Sequence, residues 1–383
     1  MKKKTILDEN IQANDVPRVL NVFFPGRCNL QCKYCFVHKE VEYFNDINEE
    51  SIRREVDIFF DYPGKQKALS FNGGEPLLEW NLIKKICAYA KQQARKKKLT
   101  LNVSIVTNGT LLKKEHVDFF SKHNIAVRIS IDGDRKTHDS ARPFKAKNGK
   151  SSFDAIMKNI DEIGIASLNF SASLVFGPNT ITDLLDNIKF LQAKGFKQID
   201  FYPEIYATWS APELKKLKIE MAKIKQYYIN IFDENNNLFK TSLVDVTLNG
   251  SAVGKQAHCG KIQADGLGNF YACDKVFSLP KKHRGKYLIG DVKIGIDNEK
   301  REKLLATLRE KHAEKNLLTC SSCKLRKYCF CPIGQHLYYE NMGIENLAFW
   351  RSSCAISKIL IEAGLDVVKR LRYNDLFVKL NRF

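Results

Sequence analysis

The sequence predicts an α/β fold: six strand–helix units around a parallel sheet, followed by a cysteine-rich region of short strands and turns. Three observations carry this. Residues 18–232 alternate strand-like and helix-like patterns six times, which is the mark of βα units and a parallel sheet. The strand segments are apolar with small polar interruptions, as expected of buried parallel strands. After about residue 236 the strands shorten, turns such as "ADGLGNF" and "PKKHRGK" multiply, and cysteines become dense. At 383 residues the chain exceeds the usual size of one core. Two packed units, or one large α/β unit with an appendage, are therefore expected.

The strand segments are, in order, "RVLNVFF" (18–24), "ALSFN" (68–72), "LTLNVSIVT" (99–107), "IAVRISI" (125–131), "LNFSASLVF" (168–176) and "QIDFYPEI" (198–205). Between the first two, "NEESIRREVDIFF" (48–60) offers Asn48 as a helix N-cap with acids in the first turn, where N–H groups lack partners and the helix dipole favours negative charge. Further helices are expected near 80–96, 111–122, 152–164, 181–194 and 212–232, with a last one at 354–370, "CAISKILIEAGLDVVKR". The expected divisions are an N-terminal segment (1–17), an α/β unit (18–235) and a cysteine-rich unit (236–383), with no internal repeat or low-complexity linker.

Composition narrows the class. Hydrophobic residues make up 44% and charged residues 27%, an ordinary globular balance. No apolar run reaches 18 residues, and "MKKKTILDENIQANDVP" has no apolar stretch behind its basic start. Neither a membrane span nor a secretory signal is expected, which reads as a cytoplasmic protein. The net charge is +19, from 62 basic and 43 acidic residues, with basic clusters at 91–98 and 367–383. That suits an acidic partner, nucleic acid or peptide, or simply a solvated surface.

Eleven cysteines in a reducing compartment are poor candidates for disulfides and better ones for metal or cluster ligation. Cys87, in "LIKKICAYA", sits in a helical apolar pattern and reads as core. The other ten fall in groups: Cys28, Cys32 and Cys35; Cys259 and Cys273; Cys320, Cys323, Cys329 and Cys331; and Cys354. The first group follows a strand. So do "NGGEP", "TNGT" and "SIDGD". In β/α barrels and open α/β sheets the C-terminal strand ends carry the chemistry, so four motifs are expected to converge on one rim.

Three thiolates can hold three irons of a cubane [4Fe–4S] cluster and leave the fourth open to a ligand. A zinc site with His38 as fourth ligand is the alternative, although catalytic zinc sites favour His and carboxylate ligands. Cys28, Cys32 and Cys35, with Tyr34 and Phe36 around the last, resemble the signature of the radical S-adenosylmethionine (SAM) enzymes. The resemblance extends over the α/β unit and implies a partial (β/α)6 TIM-type barrel. By it, Gly73, Gly74, Glu75 and Pro76 are similar to the glycine-rich turn that meets the methionine amino group, and glycines allow close backbone approach there. Ser130 and Arg142 would hold the cofactor carboxylate, Asp132 would make a polar contact in the same pocket, and Asn108 of "TNGT" would also face the cofactor. Tyr34 and Phe36 would flank the adenine. The open iron of such enzymes takes SAM, and one electron from the cluster cleaves it to a radical that removes hydrogen from substrate.

The later cysteines resemble the SPASM extension, which carries two auxiliary [4Fe–4S] clusters, three clusters in all. By position, Cys320, Cys323, Cys329 and Cys354 would hold the outer one, and Cys259, Cys273 and Cys331 the inner one. Only Phe330 separates Cys329 from Cys331, where the family pattern has three residues. His258 is a candidate fourth ligand of the inner cluster. A zinc ribbon is the alternative reading of this set. Asp274 occupies the place of a general base in the anaerobic sulfatase-maturating branch and would act on a substrate thiol, hydroxyl or amide. Asp200, Tyr202 and Glu204 alternate along one strand and so share a face.

The extension implies a peptide or protein substrate. The leading expectation is a ribosomal-peptide maturase forming a thioether or carbon–carbon crosslink, with a flavodoxin or ferredoxin as electron donor. About 17 residues precede the first strand, which leaves leader recognition to a separate protein or another surface. The alternatives are a sulfatase-maturating enzyme that makes formylglycine, and a non-catalytic, basic, zinc-binding nucleic-acid module. No membrane partner is expected.

Overall fold

The computed structural model describes residues 17–24, 27–37, 47–146, 149–164, 170–204, 206–234, 239–241, 243–244, 260–315, 322–325, 328–329, 337 and 347–371. All six expected strands form: β1 (Val19–Phe24), β2 (Gln66–Gly73), β3 (Thr100–Thr107), β4 (Ile125–Ser130), β5 (Phe170–Phe176) and β6 (Gln198–Pro203). They are parallel and lie side by side in chain order. Helices provide the long crossovers that parallel neighbours need: α1 (Glu49–Phe60), α2 (Trp80–Lys96), α3 (Lys114–Lys122), α4 (Arg135–Ala141), α5 (Ser152–Ile163) and α6 (Leu184–Ala193), with α7 (Ala211–Asp233) after β6. Asn48 caps α1 as expected, its side chain accepting from the Ser51 N–H at 2.9 Å.

β1 is buried on both faces, whereas β3, β4 and β5 alternate. In β5, Phe170, Ala172, Leu174 and Phe176 are buried, while Ser171, Ser173 and Val175 are half-buried. The small polar interruptions in the sequence therefore mark one face of the sheet. That face carries a hydrogen-bonded lattice. Asn21 bonds Gln263 at 2.8 Å, Ser104 bonds Ser70 at 2.9 Å, and Arg128 meets the buried Asp200 at 2.8 Å. The opposite face packs the hydrophobic core, with Leu20, Val22, Leu69, Phe71, Val127 and Ile129 all essentially inaccessible.

The later region does more than pack against this unit; it continues the same sheet. β7 (Lys261–Ala264) pairs in parallel with β1, Val19 beside Lys261. β8 (Asn269–Tyr271), β9 (Leu288–Asp291) and β10 (Gly295–Ile296) follow antiparallel, giving ten strands in the order β10-β9-β8-β7-β1-β2-β3-β4-β5-β6. Among the described residues three helices were not legible in the sequence: α4, a single turn at Lys281–Arg284, and α8 (Asn298–Lys315). Among the residues of α8 whose burial is described, Arg301, Leu305 and Leu308 are buried, and the many charges around them hide the apolar period. The final helix, α9 (Leu347–Arg370), starts seven residues before the expected 354. It packs along α7, with Lys225 and Asp366 paired at 2.8 Å. Among the described residues no helix is long and apolar enough to cross a membrane.

Candidate active site

The loop after β1 is built by contacts from its neighbours. Gly73 has φ +115°, and a Cβ there would lie 2.4 Å from the Phe24 nitrogen. A Cβ on Gly74 would lie 2.0 Å from the Arg27 carbonyl oxygen. Only glycines let the end of β2 run this close to the chain entering the cysteine loop. Two backbone bonds fix the approach: Gly74 N–H donates to Phe24 O at 2.9 Å, and Glu75 N–H to Arg27 O at 2.7 Å. The turn after β3 ties the loop from another side. Asn108 Nδ2 donates to Asn29 at 2.8 Å and lies 3.9 Å from the Cys28 sulfur, and Asn29 Nδ2 donates to Thr110 Oγ1 at 2.7 Å.

Cys28, Cys32 and Cys35 line one cavity of about 420 Å³, together with Tyr34, Phe36, Gly73, Gly74, Asn108, Ser130, Arg142 and Asp274. Residues read from five separate stretches of sequence thus meet at one rim. Burial pushes the Cys28 thiol up to about 11 and the Cys32 thiol up to about 12, the latter against the pull of Arg142. Thiols so desolvated become thiolates only when cations bind them. The Leu30 N–H donates to the Cys28 sulfur at 3.4 Å. Among the described residues, no three His, Cys, Asp or Glu side chains converge on a point that would hold a single metal ion. Three sulfurs spread around a shared cavity, with a hydrogen-bond donor already aimed at one, fit a polynuclear iron–sulfur cluster.

Two of the residues expected at the cofactor hold neighbouring residues in place. Asp132 is fully buried and does not line the cavity. Its Oδ2 accepts from Arg142 Nε at 2.9 Å, its Oδ1 from Arg142 Nη2 at 3.0 Å and from the Val175 N–H at 2.9 Å. The Tyr34 hydroxyl also donates to it. With every oxygen turned to a protein donor, Asp132 instead locks the guanidinium of Arg142, which does line the cavity and lies 5.1 Å from the Tyr34 ring centre. Glu75 is likewise inaccessible and absent from the lining. Its carboxylate accepts from Leu77 N–H at 3.0 Å, Thr107 Oγ1 at 2.7 Å and Asn108 N–H at 2.6 Å, so it ties the turn after β2 to the turn after β3. Burial raises its pKa to about 7 against those three bonds. Pro76 is buried at the start of a 3₁₀ turn, Pro76–Glu79, and also lies behind the wall.

Tyr202, Glu204, Asp274 and Lys275 line the same cavity. Two of the three residues expected to share a face of β6 do line the cavity. The third, Asp200, is buried lower in the sheet on Arg128. Burial pushes the Asp274 carboxyl up, but the Lys275 and Lys261 ammonium groups outweigh this and hold it below its usual range. Lys275 was not singled out in the sequence. Its Nζ lies 3.1 Å from Asp274 and 3.8 Å from the centre of the Phe36 ring, joining the cysteine loop to the later region. Its place beside Asp274 in the chain was the only signal available.

Of the later cysteines, Cys273 is buried and its sulfur lies 3.7 Å from Asp274 Oδ1. Burial raises the Cys354 thiol on α9, and the neighbouring Cys323 adds to the shift. Those two, grouped by the resemblance, are thus near each other in space. Cys329 is half-buried. Cys259, Cys320, Cys331, His38 and His258 lie outside the described residues. Cys87 is a core residue, as expected.

Residues 22–191 match the family model of the radical SAM superfamily. Among curated proteins, a cysteine-type anaerobic sulfatase-maturating enzyme of Clostridium novyi is 28% identical over 184 residues, covering 46% of this chain and 48% of that protein. The chain spans 59%, 48% and 47% of the length of the first curated relatives it matches. Among solved structures, the SAM-bound enzyme anSMEcpe aligns with a TM-score of 0.74 at 19% identity, covering 94% of this chain and 99% of that one. SuiB of Streptococcus suis, bound to its precursor peptide SuiA, aligns at 0.58 and 16% identity, over 87% of this chain and 74% of that one. At such identities these structures attest the α/β radical SAM fold and nothing finer.

Proposed function

Because this chain carries a radical SAM superfamily domain at residues 22–191, we propose that it is a maturase acting on a peptide or protein substrate. The observation that carries the reading is the shared cavity, which three thiols, the Arg142 guanidinium and the Asp274 carboxylate line together. When bound, a [4Fe–4S] cluster and SAM supply a 5′-deoxyadenosyl radical that can take hydrogen from an unactivated C–H bond.

The chain's own residues have separate tasks. Cys28, Cys32 and Cys35 would hold the cluster. The Gly73–Gly74 backbone, Asn108, Ser130 and Arg142 would bind the methionine part of SAM, with Asp132 fixing Arg142 in place. A fixed guanidinium needs no reorganisation when an anion arrives. Tyr34 and Phe36 supply an aromatic wall. Asp274 would take the proton from a substrate thiol, hydroxyl or amide at the cavity wall. Two further clusters, one on Cys320, Cys323, Cys329 and Cys354 and one on Cys259, Cys273 and Cys331, would serve electron flow or substrate binding.

The substrate most in keeping with an inner cluster of three protein thiolates is a ribosomal peptide with a cysteine, closed to a thioether or carbon–carbon crosslink. SuiB, which shares the fold, is seen with a precursor peptide. A second reading, formylglycine formation on a sulfatase, is favoured by Asp274 at the cavity wall and by the relative from Clostridium novyi. Either way an electron donor is required, and a separate leader-recognition protein fits the crosslinking reading.

The test is anaerobic reconstitution followed by iron analysis and dithionite-driven SAM cleavage. Three cubanes require about twelve irons per chain. Replacing Cys28, Cys32 and Cys35 together with Ala should abolish 5′-deoxyadenosine formation, and undiminished formation would refute the reading. Asp274→Asn should keep SAM cleavage but lose turnover of the true substrate; full turnover would remove Asp274 from the base role.

A further inference from the structure

Four side chains form one series of contacts between the two cysteine-bearing regions. Phe36 follows Cys35 in the chain, and the Lys275 ammonium lies 3.8 Å from the centre of its ring. Lys275 Nζ lies 3.1 Å from Asp274 Oδ2, and the Cys273 thiol reaches Asp274 Oδ1 at 3.7 Å. The order of contact is Phe36, Lys275, Asp274, Cys273. The ion pair thus sets its cation on the side of Cys35 and its carboxylate on the side of Cys273. Both charges line the cavity and are partly withdrawn from solvent, the side chains being 21% and 35% exposed. Charges so placed are screened less than charges on an open surface.

The turn that carries the pair is anchored by other residues. The buried Phe277 ring stacks on Phe23 of β1 at 4.4 Å and meets Tyr271 edge-on at 5.6 Å. Arg284 Nε donates to Leu279 O at 2.9 Å at the end of the same turn. The two charges can therefore be changed one at a time without releasing the turn.

We propose that the Asp274–Lys275 pair is an electrostatic bias between two metal sites: it favours an electron on the cluster held by Cys28, Cys32 and Cys35, and disfavours one on a cluster held by Cys273. The inference rests on the proposed function, and its second half on the auxiliary cluster assigned to Cys273. An added electron makes a cluster more negative. A nearby ammonium stabilises that form and a nearby carboxylate destabilises it, so net charge around an iron–sulfur cluster helps to set its potential. The electron comes from the external donor that SAM cleavage already requires. The pair exchanges no bond and no proton in this role; Lys275 acts through its charge and its place.

The experiment is a redox titration of the reconstituted full chain, read by EPR of the reduced clusters. The cluster with the open iron is recognised by the change in its signal when SAM is added. Lys275→Met should make that cluster harder to reduce, its equilibrium constant for reduction falling about tenfold, or about 59 mV for one electron. Asp274→Asn should move the same cluster in the opposite direction, and should raise the auxiliary potential by more than the first. Lys275→Arg keeps the cation and should restore the wild-type value. Arg142 on the cavity and Lys261, which acts on Asp274, are the same in every variant and cancel in the comparison. Shifts of equal sign in Lys275→Met and Asp274→Asn, or no shift in either, would overturn the proposal, because a merely structural disturbance does not follow the sign of the charge removed. A wild type with about four irons and a single signal would overturn the half that concerns Cys273, while the shifts of the first cluster still decide the other half. A wild type with no SAM-responsive signal would instead refute the radical SAM function itself.

Discussion

Substituting Asp132 with Asn tests how the cofactor wall is held. In the native chain four donors converge on this one carboxylate: two from Arg142, the Val175 N–H and the Tyr34 hydroxyl. Both charged partners are buried, Asp132 completely and Arg142 to 6% exposure. An Asn of the same shape keeps one acceptor oxygen, turns an NH2 toward donors, and leaves the guanidinium without a counter-charge. Removing one partner of a buried ion pair costs about 3–5 kcal/mol, a large part of a typical total stability of about 5–15 kcal/mol. Guanidinium chloride unfolding under anaerobic conditions reads the loss directly. SAM affinity, measured by equilibrium dialysis, should fall as well, because Arg142 is no longer pinned at the cavity wall. The double variant Asp132→Asn/Arg142→Gln removes the stranded cation. It should therefore lose less than the sum of the single losses, with a coupling of about 0.5–3 kcal/mol. A single Asp132→Asn loss no larger than about 1 kcal/mol, the net worth of one ordinary hydrogen bond, would refute the claim that this carboxylate organises the wall.

Two further outcomes follow from the same geometry. Gly74→Ala places a methyl group 2.0 Å from the Arg27 carbonyl and should cost about 1–3 kcal/mol or more from overpacking. It should also lower iron retention by the cysteine loop, whereas Gly285→Ala, with nothing within 4 Å, should do neither. Glu75 titrates at about 7 because of burial, above its value of about 4.3 in an unfolded chain. The folded state therefore holds this proton more tightly, and stability falls as pH rises from about 4.5 to about 7, by about 3 kcal/mol over that window. Unfolding free energies at pH 5 and pH 8 should show this decline in the wild type and a flatter profile in Glu75→Gln; equal slopes would remove Glu75 as the cause.

The strands were legible because their composition and spacing are local properties. All six formed within two residues of their expected limits at each end. The helix α8 was not legible, since its described burial, Arg301, Leu305 and Leu308 among many charges, carries almost no periodic signal. Tyr202 and Glu204 were legible as neighbours on a face, but which face looks inward depends on strand pairing. Lys275 became visible only when Phe36 and Asp274, 238 residues apart in the chain, were brought to its ammonium group.

By itself the sequence determined the chemistry: three thiols at short spacing, glycines at a strand end and a carboxylate beside a later cysteine. Such features depend on residue type and nearest neighbours, and they can be read along the chain. The tertiary structure decided which carboxylates face the cavity and which stand behind it. Asp132 and Glu75 are carboxyl groups like Asp274, yet the two former are wholly enclosed by donors, while the last stands on the cavity wall. That division is set by which hydrogen bonds each oxygen can complete once β2, β3, β4 and β5 lie side by side, and no local pattern encodes it.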